Sequence, residues 1–159
     1  MTTIAMPEPD YGILRRRREI LAELENAVPG ILISDPAETL AYECDALTAY
    51  RCPPLAVALP RTTEEVANIL ATCKRLHVPV VPRGAGTSLA GGSLPTADSV
   101  ILGTARMNRV LDIDIANRCV TVQTGVTNLS VSGAVADDGF FYAPDPSSQL
   151  ACAIAGTRP

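Results

Sequence analysis

Ile13, Leu14, Ile20, Leu21, Leu24 and Val28 fall roughly along one face of a 3.6-residue spiral, which predicts an amphipathic helix over 13–28, stopped by Pro29 and Gly30. From Ile31 to Pro54 no period holds, and Pro36, Pro53 and Pro54 break any long element. That stretch reads as a connecting segment packed against the main domain. The pattern then sharpens. The apolar run "LAVALP" predicts a short buried strand. "TTEEVANILATCKRL" follows, with Val66, Ile69, Leu70, Cys73 and Leu76 on one helical stripe, Thr62 as cap and Glu65 reaching back to complete a capping box. After His77, "VPVVP" is a second strand. Strand, helix and strand at this length predict a right-handed βαβ unit with its two strands parallel.

Further along, "SVILGT" predicts another strand. "RVLDIDIANRCVTVQTG" alternates apolar and polar positions on both sides of Ala116 to Arg118, the pattern of a hairpin. "TNLSVSGAVADDG" reads as a short helix capped by Thr127 or Asn128 and closed by Gly139. The two prolines of "FFYAPDPSSQ" then impose an extended path, with Ser147 and Ser148 as hydroxyl donors. No internal repeat or low-complexity tract is present in the sequence.

Composition narrows the function classes. A chain of 159 residues supports one core, burying ~68–70% of its unfolded surface. A net charge of −4, no Trp and only two Phe argue against a nucleic-acid platform. The one basic run, Arg15 to Arg18, is followed by Glu19, Glu23 and Glu25 and reads as a solvated helix face. Five cysteines with no C-x-x-C pair, beside a single histidine, favour neither a disulfide framework nor a metal site. No signal-peptide pattern and no apolar run of membrane-spanning length is found. A reducing cytoplasm is the expected compartment, with peripheral attachment to the inner membrane through a partner left open.

Candidate chemistry lies in "PRGAGTSLAGG", residues 82–92, where four glycines follow an apolar strand. Neither familiar phosphate loop fits. The dinucleotide fingerprint needs a third glycine where Leu89 stands, and the P-loop pattern begun at Gly86 meets Gly92 where it needs lysine.

Taken together, "PRGAGTSLAGGS", the βαβ unit before it and "GVTNLSVSGAVADDGFFYAPDPSSQLACAIAG" resemble the flavin-binding domain of the vanillyl-alcohol oxidase/PCMH superfamily. Within it, the match is nearest to the glycolate oxidase FAD-linked subunit and D-lactate dehydrogenases. The resemblance covers about Pro53 to Ala155. It implies an α+β fold, a PCMH-type FAD-binding domain whose first subdomain carries the βαβ unit and the hairpin. On this reading 1–52 is a helical lead-in and 53–159 the FAD-binding domain, incomplete at its C-terminus.

The resemblance also implies site roles. Backbone N–H groups of Gly84, Ala85, Gly86, Thr87 and Ser88 would face the FAD pyrophosphate, a nest that a Cβ would block. Gly91 and Gly92 would let the chain pass the flavin. Pro144, Asp145, Pro146, Ser147 and Ser148 would line the cofactor channel, although the two serines could instead satisfy turn backbone groups. Arg83 could pair with phosphate or form a surface ion pair. Thr87 stands where some relatives carry a flavin-linking histidine, so FAD is expected to be noncovalent. His77 is read as structural and Cys152 as a buried small residue.

Family members continue past a "C-x-I-G-G" segment into a second flavin subdomain and a substrate-capping domain, whereas this sequence reads "CAIAGTRP". The expectation is a fragment that holds part of the FAD site of a 2-hydroxy-acid oxidoreductase, without a catalytic base of its own and inactive alone. Electrons would leave such an enzyme through an iron–sulfur or other electron-transfer subunit. A noncatalytic module that docks such a subunit is the alternative reading.

Overall fold

The computed structural model describes residues 6–144 and 146–154. The lead-in helix is two helices, α1 (Tyr11–Arg15) and α2 (Arg17–Ala27), separated at Arg16, whose φ of −92° and ψ of 11° leave the helical region. Asp10 caps the first of them through Gly12 and Ile13 N–H. Ile13, Ile20, Leu24 and Val28 are buried, so the predicted apolar face survives the break.

Arg15 and Arg18 are exposed as a solvated face requires, but Arg16 and Arg17 are half-buried and also reach backbone carbonyls of the main domain. Arg16 Nη2 donates to Leu76 O at 3.0 Å, and Arg17 Nη2 donates to Ser34 O at 2.8 Å and to Leu55 O at 3.3 Å. Guanidinium groups supply the donors that these carbonyls, left at element ends, would otherwise lack. The lead-in is thereby tied to the main domain.

The connecting segment holds more structure than its broken pattern suggests. It contributes β1 (Leu32–Ile33), the short helix α3 (Pro36–Thr39) and a 3₁₀ turn at Leu40–Tyr42. The next strand, β2 (Ala56–Ala58), leads into α4 (Thr63–Leu76), and β3 (Val80–Arg83) follows. Thr62 caps α4 by accepting Glu65 N–H at 3.1 Å. The Glu65 carboxylate accepts the Arg61 N–H at 2.6 Å, one residue earlier than a capping box prescribes. His77 closes α4 in the left-handed region at φ 58°, consistent with a structural role.

The βαβ strands are parallel but not adjacent. β4 (Val100–Gly103) inserts between them, giving the order β1-β2-β4-β3 with β1 antiparallel at the edge. β4 is buried throughout, which suits a central parallel strand covered on both faces. On one face, Ala56, Ala58, Val100 and Leu102 pack with Ile20, Leu24, Ile69 and Cys73 of α2 and α4. On the other, Val57, Ile101 and Val81 pack with Ile33 and Tyr42. The first 52 residues therefore belong to the same core as the rest.

The hairpin forms as its alternation predicts, from β5 (Val110–Asp114) and β6 (Cys119–Val122), as a separate two-stranded sheet. Gln123 fastens it to the domain: its Oε1 accepts Arg109 N–H at 3.0 Å and its Nε2 donates to Arg61 O at 3.0 Å. Helix α5 (Asn128–Val135) begins at the Thr127 cap, and after a 3₁₀ turn Gly139 closes the run at φ 77°.

One buried carboxylate should make the stability of the fold pH-dependent. Asp98 is 7% exposed and accepts the Asp10 N–H at 2.8 Å. Burial alone would raise its pKa, but hydrogen bonds from Thr96 and from the Asp10 and Asp98 backbone N–H groups outweigh it and hold the carboxyl below its ordinary 3.8. A carboxyl with a depressed folded pKa stabilises above its unfolded pKa, and that stabilisation is lost as pH falls through the folded value. Urea midpoints should therefore drop as pH is lowered below about 4, and drop less steeply in Asp98→Asn. Parallel pH profiles for the two proteins would show that Asp98 is not the group responsible.

Candidate functional site

Parallel β3 and β4 both end at the same edge of the sheet, and the glycine loop leaves from β3 there. Ligands approach α/β sheets at this edge because two strands diverge into loops and leave backbone groups unpaired. Thr104, just past β4, donates its N–H to Arg83 O at 2.9 Å and so holds the two strand ends side by side. Beyond that bond the loop is free of ladder pairing. Among the described residues, the N–H groups of Ala85, Gly86, Thr87 and Ser88 donate to nothing. Gly86 takes φ 71° and Gly91 φ 74°, in the left-handed region that glycine reaches without cost. Ser88 Oγ accepts the Ala90 N–H at 3.2 Å, a local turn that shapes the loop.

The opposite wall is built by the chain returning after α5. Asn128, 1% exposed, anchors that return: its Nδ2 donates to Pro144 O at 3.1 Å and its N–H to Cys152 O at 3.3 Å. Thr127 and Ala153 form an antiparallel bridge, and Ile154 N–H donates to Val126 O at 2.8 Å. Between these anchors the chain folds into a tight turn, in which Ser148 O accepts both Ala151 and Cys152 N–H. Ala153 Cβ comes to within 3.6 Å of where a Cβ on Gly84 would lie.

Loop and returning chain enclose a cleft of about 590 Å³. Of the residues singled out in the sequence, Arg83, Gly84, Ala85, Gly86, Thr87, Ser88, Gly92, Pro146 and Ser148 line it. Gly91, Pro144 and Ser147 do not. Gly91 faces Leu47, Pro144 is exposed and receives Asn128, and Ser147 is exposed on the turn. Asp145 lies outside the described residues. A smaller cavity of about 270 Å³ adjoins the cleft, sharing Gly84, Ala85 and Ala153 and reaching Gly125, Thr127 and Ser130.

Sequence reasoning assigned no site role to Pro82, Ser93, Thr104, Cys152 or Ala153, which also line the cleft; Ser93 and Thr104 are the two among them that carry hydroxyls. Both hydroxyl oxygens are buried with no partner among the described residues. Buried polar groups are normally satisfied, and an orphan costs about 1–3 kcal/mol, so two such hydroxyls suit this cleft to a polar ligand. Their signal was positional. Ser93 directly follows the glycine pair, and Thr104 directly follows a strand parallel to the one that feeds the loop.

Burial pushes the Cys73 thiol up to about 11, and burial followed by the nearby Asp98 charge raises that of Cys52. Both thiols are poor nucleophiles in consequence. Cys152 is buried at the cleft, in keeping with its reading as a buried small residue. Among the described residues no group of three His, Cys, Asp or Glu could hold a metal, and no helix is long and apolar enough to cross a membrane.

The fold defines the class. Over 97% of this chain it superposes on 30% of the solved alkyldihydroxyacetonephosphate synthase, with a TM-score of 0.79 at 21% identity. Over 82% it matches 26% of p-cresol methylhydroxylase, with a TM-score of 0.67 at 18% identity. At such identities the likeness concerns the fold, which is the α+β fold of the PCMH-type flavin-binding domain. The chain belongs to the family described as "FAD binding domain", whose profile matches residues 54–158. Among curated relatives, glycolate oxidase subunit GlcD of Escherichia coli (strain K12) is 49% identical over 153 residues, 96% of this chain and 30% of that protein. Mitochondrial D-2-hydroxyglutarate dehydrogenase of Bos taurus is 38% identical over 136 residues, 86% of this chain and 25% of that protein. The chain thus spans 25–30% of the length of these relatives.

Proposed function

We propose that this chain supplies the diphosphate-holding half of the FAD site of a 2-hydroxy-acid oxidoreductase of the glycolate oxidase and D-lactate dehydrogenase type. The observation that carries the reading is the cleft itself. Unpaired N–H groups at Ala85 to Ser88 converge with the orphaned Ser93 and Thr104 hydroxyls on one space. A diphosphate needs several donors and close backbone approach, and Gly84, Gly86 and Gly92 keep side chains out of the way. The donor set fits the group.

In this reading the loop amides from Gly84 to Ser88 hold the diphosphate, while Ser93 and Thr104 donate to it or to the neighbouring ribityl hydroxyls. Pro146 and Ser148 border the channel opposite. Bound flavin would supply a two-electron acceptor for a substrate C–H bond. The residues of this chain bind and orient; no proton-transfer role falls on them, and the base, the substrate contacts and an electron-transfer partner subunit would come from outside the span described. Noncovalent attachment is supported by the loop carrying Thr87 and by the chain's one histidine, His77, standing before β3 while the loop follows it.

The test is a titration of FAD into the purified chain, followed by flavin fluorescence and the visible spectrum. Saturable binding that free ADP competes away, with no measurable 2-hydroxy-acid oxidation, is the expected result. A folded chain with no saturable response would refute the FAD site, and oxidation of glycolate or D-lactate by the isolated chain would refute the division of labour.

A further inference from the structure

Arg83 lines the cleft at the start of the glycine loop, where a cation invites reading as a phosphate ligand. Its side chain is already committed elsewhere. Nη1 donates to Cys44 O at 2.7 Å, and Cζ lies 5.7 Å from the centre of the Tyr42 ring, within cation–π range. Strand period explains the choice. Arg83 lies two residues beyond Val81, on the face that packs against Tyr42 and away from α4.

The guanidinium also fills the space beneath the loop. A Cβ built on Gly86 would lie 2.6 Å from Arg83 Cζ and 2.9 Å from Nε. The loop is held to the same segment independently, because Ala46 N–H donates to Gly86 O at 3.0 Å. Asp45 Oδ1 accepts Leu47 N–H at 2.9 Å and keeps that segment turned toward the loop.

We infer that Arg83 is a positioning residue: with Tyr42 and the carbonyl of Cys44 it braces the glycine loop in its donor-presenting shape and makes no ion pair with the cofactor. The inference rests on the proposed FAD site, and it assigns the 42–47 segment, outside the matched family profile, a part in cofactor binding. A lysine cannot replace the guanidinium here, since the planar fork both reaches the carbonyl and lies over the ring.

The experiment compares Arg83→Lys, Arg83→Gln and Tyr42→Leu with the parent chain, measuring FAD affinity at low and high ionic strength. It also measures amide exchange of Ala46 and Thr104 in the flavin-free proteins. The brace predicts that Lys and Gln weaken FAD binding alike, by about tenfold or more, with the parent's own salt dependence. Tyr42→Leu should weaken it too, and the Tyr42→Leu/Arg83→Lys double variant no further than Arg83→Lys alone, because both residues act through one contact. The Ala46 and Thr104 amides should exchange faster in all variants. A lysine variant that keeps full affinity while the glutamine variant loses it, with a reduced salt dependence, would overturn the brace and make Arg83 a phosphate ligand. The exchange arm needs no flavin. If the parent chain fails to bind FAD, unchanged Ala46 exchange still overturns the brace, and faster exchange still supports it.

Discussion

Replacing Gly125 with alanine is expected to lower the stability of this fold by about 3 kcal/mol or more, near the upper end for a single methyl group. The reason is space. Gly125 is buried where the hairpin rejoins the domain, and its N–H donates to Met107 O at 2.8 Å. A Cβ there would overlap the carbonyl oxygen of Thr104 and lie 2.9 Å from that of Met107. Both obstacles are backbone, so no rotamer change relieves them, and the hairpin must separate from the end of β4. A domain with the usual ~5–15 kcal/mol of stability would lose a large share of it. Urea unfolding followed by far-ultraviolet circular dichroism decides the matter. A midpoint equal to the parent's would mean that the hairpin base relaxes freely and does not lock the adjoining cavity.

A Gly86→Val variant is expected to fold but, on the proposed FAD site, to bind FAD about 10- to 100-fold more weakly than the parent. At φ 71° a β-branched residue carries ~1–3 kcal/mol of backbone strain, and its Cβ meets the Arg83 guanidinium. Arg83 is a side chain, half-buried and able to swing, so this collision is relieved by moving the brace and reshaping the loop. The sheet itself stays intact. One to two factors of ten correspond to ~1.4–2.7 kcal/mol, the range of that strain. Equal FAD affinities for the variant and the parent would mean that the loop's shape does not set binding. The two substitutions separate the two uses of glycine: room at Gly125, and left-handed backbone at Gly86.

Much of this arrangement was legible in the residues. α4 and the hairpin carry strong periods, α4 and α5 carry ordinary end signals such as Thr62, Thr127 and Gly139, and each element formed as these signals predict. The loop was legible because glycine spacing speaks directly of backbone. The sheet order was not. Val100, Ile101 and Leu102 are apolar on both faces, and such a strand does not declare its neighbours. β1 was hidden because two residues cannot establish a period. The carbonyl contacts of Arg16 and Arg17 were not legible because charge pattern says nothing about which carbonyls lie within a guanidinium's reach. Ser93 and Thr104 were missed for a similar reason: a hydroxyl's importance depends on whether burial has stripped it of partners.

The insertion of β4 between β2 and β3 bears on how the chain acquires its shape during synthesis. β2, α4 and β3 emerge as a continuous stretch, yet neither strand pairs with the other, and both await Val100 to Gly103. Until then their backbone edges are open, and only the α2–α4 contacts and the short β1 can organise them. The β3–β4 ladder must close about 20 residues, Val80 to Val100, and the β2–β4 ladder about 44, Ala56 to Val100, nonlocal steps that slow folding and expose unpaired edges to other chains. Cold or chaperone-poor expression should matter most in that interval, and a nascent chain stalled before Val100 presents two lone strand edges rather than half a sheet.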